Sequence, residues 1–217
     1  MPPMSSTRPQ LIVHLEPIPS SPLYALLQDF HAVSSQKYGP TDAHAYHPHV
    51  SLTGFWEMSL PSTQHQHADP YCASLVQSCL NDRLPPLVLH PPLIPDTKSC
   101  LILPISPPKE YVALSKAITQ KFESCDRFVN RMRPKAVNHI SLAYFAPTQD
   151  VSEEEQRRIV HGMKELADQV LGEWFGGRPF VLVPGWDVVY YELIREANKP
   201  LKGERHQFQE IGRWRVA

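Results

Sequence analysis

The tetrapeptide His49-Val50-Ser51-Leu52 recurs ninety positions later as His139-Ile140-Ser141-Leu142. Each copy opens an apolar run that reads as a strand, residues 50–56 in one case and 140–145 in the other. On a strand, residues two apart point to the same face. Each copy therefore aims an imidazole and a hydroxyl to one side of a sheet and its aliphatic residues to the other. Two such pairs facing each other would supply two proton-transfer groups and two hydroxyl donors. That set can cleave a phosphodiester without a metal.

A single His-x-Ser carries little information, because an ordinary strand histidine bonded to backbone produces it just as well. The second copy changes the weight. The two share the following Leu and an aromatic tail, Phe55 in one and Tyr144-Phe145 in the other. Phe55 has the facing parity of His49 and Ser51 and reads equally as a cleft wall or a core residue. Alternation puts residues 139, 141 and 143 on one face, so Tyr144 either reaches the same side past a bulge or twist at the strand's end or packs in the core. Lys135, four residues before His139, is a candidate phosphate contact; a solvated loop lysine is the plainer reading.

The elements that must hold these residues repeat as well. The apolar run Leu11-Ile12-Val13-His14-Leu15 is followed by Pro17 and Pro19, then by Ser21-Pro22, a natural helix cap and first residue. Leu23, Leu26, Leu27 and Phe30 continue at helical spacing. After the first motif come a polar loop over residues 57–70, a helix through Leu75, Val76, Cys79 and Leu80, and the strand Leu87-Val88-Leu89. Ninety residues after Leu11, Leu101-Ile102-Leu103-Pro104-Ile105 restarts the order. Pro107 and Pro108, a helix through Tyr111, Leu114, Ile118 and Phe122, and the second motif follow. Ser152-Glu153-Glu154-Glu155 reads as a capping box, Ser152 reaching forward and Glu155 back. It opens a helix with the stripe Ile159, Met163, Leu166, Val170 and Leu171. Strands near residues 180–183, 188–194 and 211–216 complete the chain.

The order β-α-β-α-β twice over predicts an α+β fold. Two pseudo-twofold-related lobes would line a central cleft with antiparallel sheets and carry helices outside. Residues 1–10 read as a disordered lead-in and residues 11–217 as a single bilobal domain.

The 217 residues carry a formal net charge of −1, with 42% hydrophobic and 20% charged residues. That balance suits a small anionic substrate or an RNA end better than a long nucleic acid. Cys72, Cys79, Cys100 and Cys125 form no C-x-x-C pair, and no apolar run is long enough to span a membrane. No secretory signal is visible. The expectation is an intracellular monomer, cytoplasmic or nuclear, with no obligate protein partner. The 23 prolines cluster at element boundaries.

The paired motifs resemble those of the 2H phosphoesterases, a family with two His-x-(Ser/Thr)-hydrophobic motifs on the lobes of a duplicated fold. Within that family the chain is most similar to the eukaryotic cyclic phosphodiesterases. The likeness is carried by Pro48-His49-Val50-Ser51, by the stretch from Cys100-Leu101-Ile102-Leu103 to Phe122, and by His139-Ile140-Ser141-Leu142-Ala143-Tyr144. It spans most of residues 10–217. Asn138 stands where the family pattern has Pro, and residues 192–214 align poorly. The resemblance implies hydrolysis of a 2′,3′-cyclic nucleotide, of an RNA 2′,3′-cyclic phosphate end, or of ADP-ribose 1″,2″-cyclic phosphate. His49 and His139 would be the acid–base pair, Ser51 and Ser141 the phosphate donors, and no metal or other cofactor would be needed. Tyr144, Phe55 and Phe208 are the candidate base contacts.

Three other readings compete. Within the family, the substrate would be a 2′-5′ linkage or the 3′ end of an RNA. A zinc site could be built from His44, His47 and His49 with His65 and His67, although no carboxylate or Cys stands at a motif-like spacing. A binding module would hold a nucleotide or RNA end without cleaving it. The segment containing Lys199, Lys202 and Arg205 reads as a hairpin connection or as a basic lid.

Overall fold

The computed structural model of the chain describes residues 9–59, 70–80, 84–95, 99–126, 128, 134–147 and 151–216. Its first strand, β1 (Gln10–Pro17), alternates between two environments. Leu11, Val13 and Leu15 enter the main core, while Ile12 joins a small cluster with Val189 and Tyr191 on the opposite face. His14 and Glu16 share the parity of Ile12 and are buried with it. Of the expected lead-in, residues 1–8 lie outside the described residues, and β1 begins at Gln10.

Helix α1 (Pro22–Tyr38) starts where Ser21 Oγ accepts from the Tyr24 N–H at 3.1 Å, with Pro22 in the first turn. Leu23, Leu27 and Phe30 form its buried stripe. A 3-10 turn (Asp42–Ala45) leads to β2 (Val50–Ser51) and β3 (Trp56–Glu57). The expected strand over 50–56 is thus two short pieces. The N–H groups of Leu52 and Thr53 both bond the Val13 carbonyl, and Thr53 Oγ1 accepts from the Val13 N–H. This bends the chain before it can run on as one strand. Helix α2 (Pro70–Cys79) and strand β4 (Leu87–Leu89) follow. Next are β5 (Leu101–Ser106), α3 (Lys109–Glu123) and β6 (His139–Ala143).

Helix α4 (Glu153–Phe175) begins with Ser152 accepting from the Glu155 N–H. The expected return half of the box is replaced: the Glu155 carboxylate grips Arg158 instead, at 2.6 and 2.8 Å. The chain ends in β7 (Val181–Val183), β8 (Trp186–Arg195) and β9 (Gln207–Arg215).

All pairings among these strands are antiparallel, in two sheets. The first has the order β2-β1-β8-β9, with β3 also on β1; the second is β6-β5-β4-β7. The α+β class holds, but the halves trade strands. Strand β4, from the first half of the chain, pairs with β5 and β7 in the second sheet. The β8–β9 hairpin, from the end, returns to β1. Helix α1 packs beside α4 and α2 beside α3, so helices also cross between halves. No helix among the described residues is long and apolar enough to cross a membrane.

The repeat is slipped as well as traded. Ser51 lies opposite His14, and Ser141 lies opposite Ile102. The motif strands are ninety residues apart, while their partners His14 and Ile102 are eighty-eight apart. An even slip keeps every side chain on its face. It also places His14 where the other lobe has Ile102, and Glu16 where it has Pro104.

Candidate functional site

Strands β2 and β6 lie against each other where the two sheets meet. A cavity of about 480 Å³ opens between them, lined by His49, Ser51, His139 and Ser141. Phe55, Lys135 and Tyr144 line it too. Thus two motifs ninety residues apart in sequence face one space.

Tyr144 arrives by a bulge. Leu101 pairs with Ala143 but Ile102 pairs with Ser141, so Leu142 is the extra residue in β6. Leu142 and Ala143 are consecutive and both buried, which breaks the alternation and turns Tyr144 to the cavity side. Its carbonyl accepts from the Asp42 N–H, and Asp42 Oδ2 accepts from the Ala146 N–H. These bonds fasten the end of β6 to the 3-10 turn of the other half. The hydroxyls of Tyr144 and Tyr46 bond each other, and burial pushes the Tyr46 phenol up to about 12.

The two histidines sit in unlike surroundings. His49 Nδ1 donates to the His47 carbonyl at 2.8 Å, so Nε2 carries the lone pair and accepts from Ser51 Oγ at 3.2 Å. The ring of His14 stacks on that of His49, with centroids 3.6 Å apart and planes 17° apart. Burial, then the neighbouring His14 and His47, push the His49 pKa well below its ordinary value. His139 Nδ1 lies 2.7 Å from Asn138 Oδ1, its acceptor. Asn138 therefore orients the second histidine. Just before it, Val137 is buried with φ of 55°, a left-handed conformation that a β-branched residue adopts at a cost of about 1–3 kcal/mol.

Behind His49 lies a polar group that the motif does not announce. Glu16 Oε2 accepts from the Tyr191 hydroxyl and from Arg213, both at 3.2 Å, and Arg213 also meets Asp187. Glu16 Oε1 turns the other way, 2.5 Å from His47 Nε2 and 3.8 Å from His14 Nδ1. Burial alone would raise the Glu16 pKa, but the two imidazoles crowding it hold it well below the usual carboxylate range. Burial pushes His14 down to about 4. His14, Glu16 and Tyr46 are absent from the sequence-derived site, and His47 enters only the zinc reading. The one available signal was parity, since a His and a Glu at alternate positions of an apolar strand need a polar partner on that face.

Phe208 does not line the cavity. It packs behind it, within 6.0 Å of the rings of Tyr46, His47, His14, Tyr191 and His206. Of the expected zinc set, His44 is elsewhere: its Nδ1 accepts from the Thr41 N–H, and its Nε2 lies 2.9 Å from Ser34 Oγ. His65 and His67 lie outside the described residues. The segment with Lys199 and Lys202 forms a 3-10 turn (Pro200–Lys202) in the β8–β9 connection, where Glu204 Oε2 accepts from the N–H groups of Asn198 and Lys199.

No protein-family model matches the chain, and no curated protein does. Solved structures do. The crystal structure of E. coli LigT complexed with 3′-AMP is similar at 13% identity, over 96% of this chain and 98% of that one, with a TM-score of 0.50. E. coli LigT complexed with NADP+ is similar at 14% identity over 97% and 99%, with a TM-score of 0.48. The first of these likenesses shows the fold: this chain has the LigT arrangement of helices and antiparallel sheets.

Proposed function

We propose that the protein is a phosphodiesterase of the 2H phosphoesterase type, hydrolysing a cyclic phosphodiester by two-histidine acid–base catalysis. The observation that carries this reading is the single cavity lined by both His-x-Ser pairs. The fold shared with a structure that holds 3′-AMP supports a nucleotide or RNA-end substrate. The resemblance to eukaryotic cyclic phosphodiesterases points to a 2′,3′-cyclic phosphate or ADP-ribose 1″,2″-cyclic phosphate.

In this reading the unlike surroundings assign the roles. His49 has Nδ1–H committed to a carbonyl and the Nε2 lone pair turned to Ser51. It is the base that takes the proton of the attacking water. His139, with an amide oxygen accepting from Nδ1, is the acid: Asn138 steadies the charged ring, which protonates the departing ribose oxygen. Ser51, its O–H turned from His49 Nε2 to the substrate, and Ser141 donate to the non-bridging oxygens as charge grows on phosphorus, which also frees the Nε2 lone pair for the water. Tyr144 and Phe55 are the surfaces for the base, and Phe208 supports that wall from behind.

The test is product analysis of 2′,3′-cyclic AMP by HPLC with EDTA present, comparing wild type with His49→Ala and His139→Ala. Wild type should form a nucleoside monophosphate. Each variant should lose roughly a hundred- to ten-thousandfold in turnover while keeping its circular dichroism spectrum. Near-wild-type rates in either folded variant would sink the assignment.

A further inference from the structure

Three groups, His47 on the cavity wall and His14 and Glu16 behind it, point one atom each at a common space. His14 Nδ1 and His47 Nε2 are 3.2 Å apart, and Glu16 Oε1 lies 3.8 and 2.5 Å from them. Those distances leave a point about 1.9 Å from all three atoms, close to zinc–nitrogen and zinc–oxygen bonds of about 2.0–2.2 Å. The His14 and His47 rings stand 64° apart, so their in-plane lone pairs can converge. We propose that His14, His47 and Glu16 form a zinc-binding site, separate from the two-histidine centre and independent of the phosphodiesterase reading.

Protons alone serve this cluster poorly. The two imidazole nitrogens lie at hydrogen-bond distance and face one carboxylate oxygen: a single N–H between them leaves that oxygen without a donor, and two N–H groups would oppose each other across 3.2 Å. Glu16 is only 3% exposed, and among the described residues Oε1 is met by the two imidazoles at 2.5 and 3.8 Å without good hydrogen-bond angles. Its partner oxygen is fully engaged by Tyr191 and Arg213, which aims Oε1 at the imidazoles. A dication replaces both opposed protons and satisfies the oxygen. Two neutral imidazoles and one carboxylate suit zinc rather than magnesium or calcium, which prefer all-oxygen shells. The Tyr191 and Arg213 bonds would be the outer partners that orient the carboxylate.

His49 is excluded from this set by orientation. Its ligand atom lies within 4.8 Å of those of His14 and His47. But its ring is stacked nearly parallel on His14, so their lone pairs run side by side rather than meeting. The site therefore sits beside the proposed base without consuming it.

The experiment is titration of EDTA-stripped, dialysed protein with Zn2+ alone, read by competition with a chromophoric chelator and by thermal melting. Wild type should bind one zinc per chain at this site and melt higher with zinc. His47→Ala should weaken binding by roughly a hundredfold or more while its metal-free melt stays cooperative, and Glu16→Gln should act in the same direction. His49→Ala should keep the zinc. X-ray absorption should show nitrogen and oxygen ligands with no sulfur. Absence of saturable binding, unchanged binding in His47→Ala, or loss of zinc in His49→Ala would each overturn the assignment. None of these readouts involves substrate, so failure here leaves the cyclic-phosphate test standing, and the reverse.

Discussion

The Ser115 hydroxyl, on α3, donates at 2.7 Å to the carbonyl of Leu52, the residue that closes the first motif. The same oxygen accepts from the Lys135 N–H at 3.2 Å, in the segment that leads to the second motif. One buried side chain thus ties together the backbones that carry His49 and His139. Ser115→Ala should leave two polar backbone groups short of a partner and cost about 1–3 kcal/mol. Turnover should fall roughly ten- to a hundredfold with little change in KM. Urea unfolding and steady-state kinetics check the two halves; full activity in a destabilised variant would make the clamp purely structural.

The hydroxyls of the motifs should matter to the chemical step. Ser51→Ala or Ser141→Ala should lower kcat by about a hundred- to a thousandfold, as expected for loss of one transition-state donor. Ser51→Thr and Ser141→Thr keep the hydroxyl and should restore most of the rate. If the loss appears in KM instead, the donors bind the ground state only.

Tyr144 lines the cavity and Phe208 stands behind it, which separates their expected effects. Losing a stacking partner for a base costs about 1–3 kcal/mol. Tyr144→Ala should therefore raise KM roughly five- to a hundredfold for a cyclic nucleotide. Phe208→Ala should act more weakly, through Tyr46 and His47. Equal effects would argue for a base that reaches past Tyr46.

Stability should fall on mild acidification because of a second histidine pair. His31 and His44 are buried with rings 4.9 Å apart. Burial pushes them down to about 3 and about 4 from an ordinary 6.5. Below pH 6.5 the unfolded chain binds protons that the folded chain refuses. Their contribution is full above that pH and lost as it falls toward 4. At pH 5 each accounts for up to about 2 kcal/mol. His31 Nε2 has no hydrogen-bond partner among the described residues, so His31→Phe should flatten the dependence of melting temperature on pH between 7 and 5. A slope unchanged in that variant would assign the effect elsewhere.

Much of this molecule is legible in its sequence. The helices over Leu23–Phe30 and Tyr111–Phe122 follow from apolar spacing, and Ser21 and Ser152 cap where their residue types say they should. Parity puts His49 and Ser51 on one face and lets Tyr144 reach it only past a bulge or twist; the bulge is at Leu142. Phe55 lines the cavity although the strand that would carry its parity breaks at Leu52 and Thr53. Caps and periodicities depend on residues within four positions of each other, so one sequence contains them.

Only the tertiary structure decided the rest, because pairing between distant strands has no local signature. A two-residue slip between repeats put His14 behind His49 and Ile102 behind the other lobe, though both partner strands read alike as apolar runs. The exchange of β4 for the β8–β9 hairpin brought Asp187, Tyr191 and Arg213 to Glu16 across as many as 197 positions. The sequence by itself determined which side chains could carry the chemistry and which face they share. Register and strand exchange decided what stands behind each histidine, and so made two matching His-x-Ser-Leu motifs unequal.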